Sequence, residues 1–109
     1  MATGGTLREQ LRARILALAG VREARSRLGG NQAFYRGKRE FAHFHGADAI
    51  DIRLPRPEQK PLRGDPRAVF RPRPSDWLEL RFTTAADVEL AAELARKAYE
   101  SVPAEASDQ

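Results

Sequence analysis

The stretch "GKREFAHFHGADAIDIRLP", residues 37–55, sets the architecture of the chain. In its second half, Ile50, Ile52 and Leu54 alternate with Asp51 and Arg53, the period-two pattern of a strand with one face on a core. The first half alternates as well: Phe41, His43 and His45 share one side of an extended chain, and Glu40, Ala42 and Phe44 share the other. Gly46 between the halves suits a tight turn, so the stretch reads as an antiparallel hairpin. A two-residue turn at Gly46-Ala47 pairs His45 with Asp48 and His43 with Ile50. A three-residue loop pairs His43 with Asp51 instead, a His–carboxylate pair that raises the imidazole pKa. A slip of one residue changes the face of every side chain, and both registers stand at this level. Pro55 ends the second strand because it has no N–H for the ladder.

Upstream, "QAFYR" (32–36) reads as a strand joined to the first half of the hairpin around Arg36-Gly37. "VREARSRLGGN" (21–31) has no clear periodicity and reads as irregular, with a turn at Gly29-Gly30. Thr6 and Glu9 have the spacing of a capping box. Leu7, Leu11, Ile15 and Leu18 continue it as an apolar helical stripe, and Gly20 is the stop signal. Downstream, residues 55–67 read as a crossing loop with one helical turn, anchored by Leu62. "AVF" (68–70) is a short strand, and "RPRPSD" (71–76) a stiff, proline-restricted connector. "WLELRF" (77–82) is a last strand facing inward through Leu78, Leu80 and Phe82. Thr84 with Asp87 caps a final helix whose inner face is Val88, Ala91, Ala92, Ala95, Ala98 and Tyr99. The expected fold is α+β: an antiparallel sheet of about five strands, in the order α-β-β-β-β-β-α, with both terminal helices on one face. One domain is expected over 1–102, with 103–109 a disordered polar tail.

Composition removes several chemistries. The chain of 109 residues has no cysteine, which excludes disulfides, thiolate catalysis and cysteine-ligated zinc. The apolar run "ILALAG" is far shorter than the ~20 residues of a bilayer span, and nothing resembles a signal peptide, so a soluble cytoplasmic protein with no membrane partner is expected. Net charge is +4, unevenly spread: residues 1–39 carry nine basic side chains against two acids, and residues 83–109 two against six. Arg8, Arg12, Arg25, Arg27, Arg36, Lys38 and Arg39 therefore form a candidate nucleic-acid or protein interaction surface, although only Phe34 and Tyr35 stand near it for base stacking. The alternative is that these are solvated charges of a small soluble protein.

His43 and His45 admit three readings. They supply half of a metal site, with Asp48 or Asp51 as the nearby help. They act as acid/base or orienting groups in an apolar pocket. Or they are hydrogen-bonded polar residues of a half-buried sheet and need no function.

Taken together, "RLGG" (27–30), "GKREFAHFHG" (37–46) with the following "DIRLP" (51–55), and "SDWLELRF" (75–82) resemble the small bacterial members of the luciferase-domain family, named for the fungal luciferases. The resemblance runs from about Leu7 to Val102. It implies a small-molecule ligand, aromatic or enolic, and a cofactor-independent oxygenase that acts with molecular oxygen on a hydroxy-α-pyrone, using no metal. On the matching motif positions it implies His43 and His45 as base and orienting group, with Asp51 beside them, and Phe41, Ile52, Arg53 and Trp77 as substrate-binding. Relatives often carry a further His-Pro before the tryptophan segment, where this chain has Arg71-Pro72 and Arg73-Pro74. The element order is also similar to that of YjbR-type domains, which share the two-layer sandwich of the frataxin-like CyaY proteins. The iron binding of the latter needs an acidic ridge, and the first helix here is basic.

Overall fold

Period-two alternation in the middle of the chain and period-3.6 stripes at its ends fold into a single sheet backed by two helices. The computed structural model describes residues 6–26 and 31–103. Arg27, the Gly29-Gly30 turn and the tail from 104 onward lie outside the described residues. In chain order the elements are α1 (Leu7–Leu16), β1 (Val21–Arg25), β2 (Gln32–Arg36), β3 (Arg39–Phe44), β4 (Ala49–Arg53), α2 (Arg56–Gln59) running into a 3₁₀ turn (Lys60–Leu62), β5 (Ala68–Val69), β6 (Trp77–Arg81) and α3 (Ala85–Glu100). The sheet is antiparallel throughout, in the spatial order β1-β2-β3-β4-β6-β5. Among the described residues no helix is long and apolar enough to cross a membrane.

The α+β class and the terminal helices match expectation, with two revisions. The sheet has six strands rather than five, because the segment read as irregular is β1, paired with β2 from Val21↔Arg36 to Arg25↔Gln32. An edge strand needs no apolar alternation, and Arg22, Glu23 and Arg25 on it discourage edge-to-edge pairing. Helix α1 also ends early, at Leu16, so Leu18 lies beyond its last turn and Leu16 packs against the core in its place.

Helices α1 and α3 cover one face of the sheet. There Leu11 and Ile15 of α1, and Val88, Ala91, Leu94, Ala95 and Ala98 of α3, meet Phe34, Ala42, Phe44, Ile50, Ile52, Leu78 and Leu80. Phe44 is the hub: its ring packs edge-on to Phe34 at 5.7 Å and to Phe82 at 6.3 Å, and the Arg8 guanidinium lies over it at 4.2 Å. The small alanines of α3 let the helix lie close on the strands. Its start is held by a full capping box, in which the Thr84 hydroxyl accepts from the Asp87 amide and the Asp87 carboxylate accepts from the Thr84 amide. Arg67 ties that carboxylate to Asp65, and its hydrogen bonds hold the Asp65 carboxyl down to about 2.

Two local geometries set the faces of the sheet. First, β3 and β4 are joined by the three-residue loop 46–48, with Gly46 at φ +82° and the His45 amide donating to the Ala49 carbonyl. The pairs are therefore Ala42↔Ile52, His43↔Asp51 and Phe44↔Ile50. Second, the β2–β3 ladder shifts by one: Phe34 faces Ala42, but Tyr35 faces Glu40, and Phe41 has no partner in the ladder. This bulge corrects the simple alternation. Phe41 is sent to the helix side, where its ring meets Tyr99 at 5.8 Å, and Glu40 joins His43 on the opposite, open side.

Because Phe44 is fully buried among three partners, Phe44→Ala is expected to cost about 3–5 kcal/mol in urea denaturation, against about 1 kcal/mol for Thr84→Ala at the cap. A Phe44→Ala cost no greater than that of the cap variant would contradict this placement of the core.

Candidate functional site

The open face of the sheet carries a chain of ionisable groups across three neighbouring strands. From β3, Glu40 and His43 stand on it side by side because of the bulge, and His45 lies just past the strand end. From β4 comes Asp51, directly opposite His43. From β6 come Trp77 and Glu79, the latter paired with Asp51. The connector 71–75 runs above them and closes a cleft of about 640 Å³, lined among others by His43, His45, Asp51, Arg71 and Trp77. The connector is pinned in place by the buried Gln59, whose side-chain amide donates to the carbonyls of Leu54 and Ser75, both at 2.8 Å. Gln59 drew no notice in the sequence, since a lone Gln in a proline-rich loop carries no periodic signal.

His43 is the centre of the chain. Its Nδ1 lies 2.7 Å from Glu40 Oε2 and its Nε2 lies 2.9 Å from Asp51 Oδ2, with all three residues buried. Both carboxylates are acceptors when ionised, so only the doubly protonated ring satisfies both contacts. Glu40 is held in turn by the Ser26 hydroxyl, which donates at 2.8 Å, and the Tyr35 hydroxyl lies 3.2 Å away. The Trp77 ring flanks His43 at 5.0 Å between centroids. Burial alone pulls the His43 pKa down. Hydrogen bonds to Asp51 and Glu40, with their negative charges, outweigh it, and the net shift is upward from the ordinary 6.5. For Asp51, burial pushes the pKa up, while hydrogen bonding to His43 and the positive charges of His43 and Arg71 bring it below the ordinary 3.8.

Asp51 gathers three groups on one oxygen. Besides His43, its Oδ2 lies 3.4 Å from His45 Nδ1 and 3.3 Å from the Arg71 guanidinium. Its other oxygen, Oδ1, is buried without a hydrogen-bond partner. His45 differs from His43 in being open: 58% of its side chain is exposed, and Nδ1 faces Asp51. The arrangement is therefore a carboxylate–imidazole pair at a cleft, backed by a second, buried imidazole that holds the carboxylate.

The same face holds donors for a cation. Single ligand atoms of His45, Asp51 and Glu79 lie within 4.8 Å of one another. Glu79 escaped the sequence reading because only the β4–β6 register brings it opposite Asp51. The donor set suits a divalent metal poorly, since Arg71 stands on Asp51 at 3.3 Å and Arg81 on Glu79 at 3.6 Å, each competing for the same carboxylate.

Other residues singled out from the sequence fall elsewhere. Phe41 and Ile52 lie in the core under the helices, on the side of the sheet away from the cleft. Arg53 lies with Arg39 and Phe41 at a separate small cavity of about 180 Å³. Of the basic residues, Arg8 donates to Gln32 and to the Gly46 carbonyl, Arg12 makes a two-pronged pair with Glu23, and Arg36 stacks on Tyr99 at 4.2 Å. Three of the seven cations of the candidate interaction surface are thus committed to contacts inside the fold.

The pKa directions carry a sign. The stability that His43 contributes is complete below its ordinary 6.5 and is lost as pH rises through its raised folded value. The contribution of Asp51 is complete above 3.8 and is lost as pH falls through its lowered folded value. The urea midpoint is therefore expected to fall on the alkaline side of 6.5 in the wild type, and to lose that fall in His43→Gln. An alkaline decline of equal size in the variant would show that His43 is not its source.

Residues 38–98, more than half of the chain, match the family model described as Luciferase domain. No match was found among curated proteins or among solved structures. The matched span contains β3, β4 and β6, and with them Glu40, His43, His45, Asp51, Arg71 and Trp77. The chain belongs to the luciferase-domain family.

Proposed function

We propose that the cleft binds an aromatic or enolic small molecule and that the protein acts as a cofactor-independent oxygenase on a substrate of the hydroxy-α-pyrone class. The observation that carries this reading is the pairing of an exposed His45 with a buried Asp51, itself held by His43, in a cleft bounded by Trp77. His45 is the base. With its Nδ1 toward Asp51, Nε2 keeps a lone pair for the hydroxyl proton of the ligand. His43 is a positioning residue, because both its ring nitrogens are occupied by carboxylates. Arg71, at the edge of the cleft, supplies positive charge where the enolate forms.

In the reaction, the enol proton passes to His45 and the hydroxyl carbon becomes a carbonyl. The neighbouring ring carbon forms a bond to molecular oxygen, two electrons move from the enolate to the oxygen, and the proton on His45 returns to the resulting peroxide. Such a base contributes roughly 10²–10⁴-fold to the rate of proton removal.

The test is a thermal-shift titration with a 3-hydroxy-α-pyrone, followed by oxygen consumption. Ligand at ~100 Kd stabilises the native state by about 2.7 kcal/mol, enough to raise the Tm by several degrees. Wild type is expected to show the shift and to consume oxygen. His45→Ala is expected to lose the oxygen consumption, and Asp51→Asn to reduce it with a changed pH profile. Absence of any pyrone-dependent shift in the wild type would remove the reading.

A further inference from the structure

The connector 71–75 has two sides. One closes the histidine cleft; the other is the wall of a second cavity, of about 710 Å³, between the connector and the α2–3₁₀ segment. The five residues Arg71 to Ser75 line both. The charge of the second cavity is one-sided: Arg56, Lys60, Arg63, Arg71 and Arg73 line it, and Asp76 is the only acid that does. Among the described residues, Arg56, Lys60, Arg63 and Arg73 have no carboxylate within ion-pair distance, whereas Arg12, Arg14, Arg67 and Arg96 are each paired with one or two acids. Glu58, the acid of the same helical turn, is turned toward Lys97 at 3.8 Å and does not line the cavity. The floor includes Phe70, with the Arg63 guanidinium over its ring at 5.1 Å.

Four unpaired cations held around one concavity repel one another, and an anion relieves that repulsion. A single carboxylate neutralises one of them. Three guanidinium groups and an ammonium match the several oxygens of a phosphate or diphosphate, which guanidinium binds through paired N–H donors. The cavity shares its wall with the histidine cleft, so the connector alone separates a group held in one from a group held in the other.

We infer that the second cavity holds the phosphorylated tail of the ligand whose enolic ring occupies the histidine cleft, so that the substrate class is a phosphate-bearing enolic aromatic. This rests on the enolic reading of the cleft for the identity of the ring, and on the second cavity alone for the phosphate.

Calorimetric titrations at ~50 mM salt, where charge screening is weak, test the two halves separately. Inorganic pyrophosphate is expected to bind the wild type at one site. The double variant Arg56→Gln/Arg63→Gln is expected to weaken it ~10- to 100-fold, the loss of one or two charge-assisted hydrogen bonds, and Arg73→Gln is expected to weaken it as well. His45→Ala is expected to leave it unchanged. No pyrophosphate binding to the wild type, or wild-type affinity in both the double variant and Arg73→Gln, overturns the inference. If the 3-hydroxy-α-pyrone still binds in that case, the reading of the histidine cleft survives it. Pyrophosphate binding without pyrone binding overturns the enolic reading and, with it, the two-part ligand. Binding to a short DNA duplex that is tighter than to pyrophosphate and collapses with salt also overturns it, in favour of a nucleic-acid partner.

Discussion

The register between β3 and β4 is the constraint on which the site and the core both depend. The loop 46–48, with Gly46 in the left-handed region, sets His43 opposite Asp51. In the same register Ala42 faces Ile52 and Phe44 faces Ile50, which puts these four apolar side chains toward the helices. A slip of one residue would bury Asp51 under α3 and turn Ile50 and Ile52 to water, so hydrophobic burial and the His–Asp pair select the same alignment. The bulge at Phe41 works with it. One extra residue in β3 moves a large ring into the core and brings a second carboxylate, Glu40, beside the imidazole.

The result is a buried charge arrangement that is stable only as a set. An isolated imidazolium or carboxylate under the connector would be costly to desolvate. Glu40, His43 and Asp51 compensate one another, and Arg71 adds a further positive charge at Asp51. The orphaned Asp51 Oδ1 shows that the set is built around Oδ2, where two imidazoles and a guanidinium converge. Leaving that oxygen bare costs on the order of 1–3 kcal/mol, which the contacts to Oδ2 offset. The set thereby fixes a carboxylate at the rim of the cleft and aims it at His45, the imidazole that is open to a ligand.

The connector matters for a related reason. Its alternating prolines resist folding into helix or ladder, so residues 71–75 stand off the sheet and separate two cavities. The Gln59 amide fastens it to the end of β4, and the Leu54 amide donates to the Asp76 carbonyl at 2.6 Å. Loop rigidity here comes from proline and from one buried amide rather than from apolar packing.

Sequence pattern was sufficient for the secondary elements with strong periodicity: the hairpin strands, the inward face of β6, both terminal helices and the Thr84–Asp87 cap. Each of these depends on residues close in the chain, where spacing alone states which side is buried. The family resemblance, rather than the pattern, grouped His43, His45, Asp51 and Trp77, and the luciferase-domain match covers all four. The pattern did not reveal β1, because an edge strand with one partner carries little hydrophobic alternation. Nor did it separate Phe41 from the histidines, or bring Glu40 and Glu79 to them, because a bulge breaks the period-two alternation on which face assignment rests and the β4–β6 pairing joins segments far apart in the chain. The choice between a two- and a three-residue turn was made in three dimensions, and with it which imidazole is buried between carboxylates and which is open. Turn length is selected by the burial of Phe44, Ile50 and Ile52 against helices at the two ends of the chain, an energy no local pattern contains.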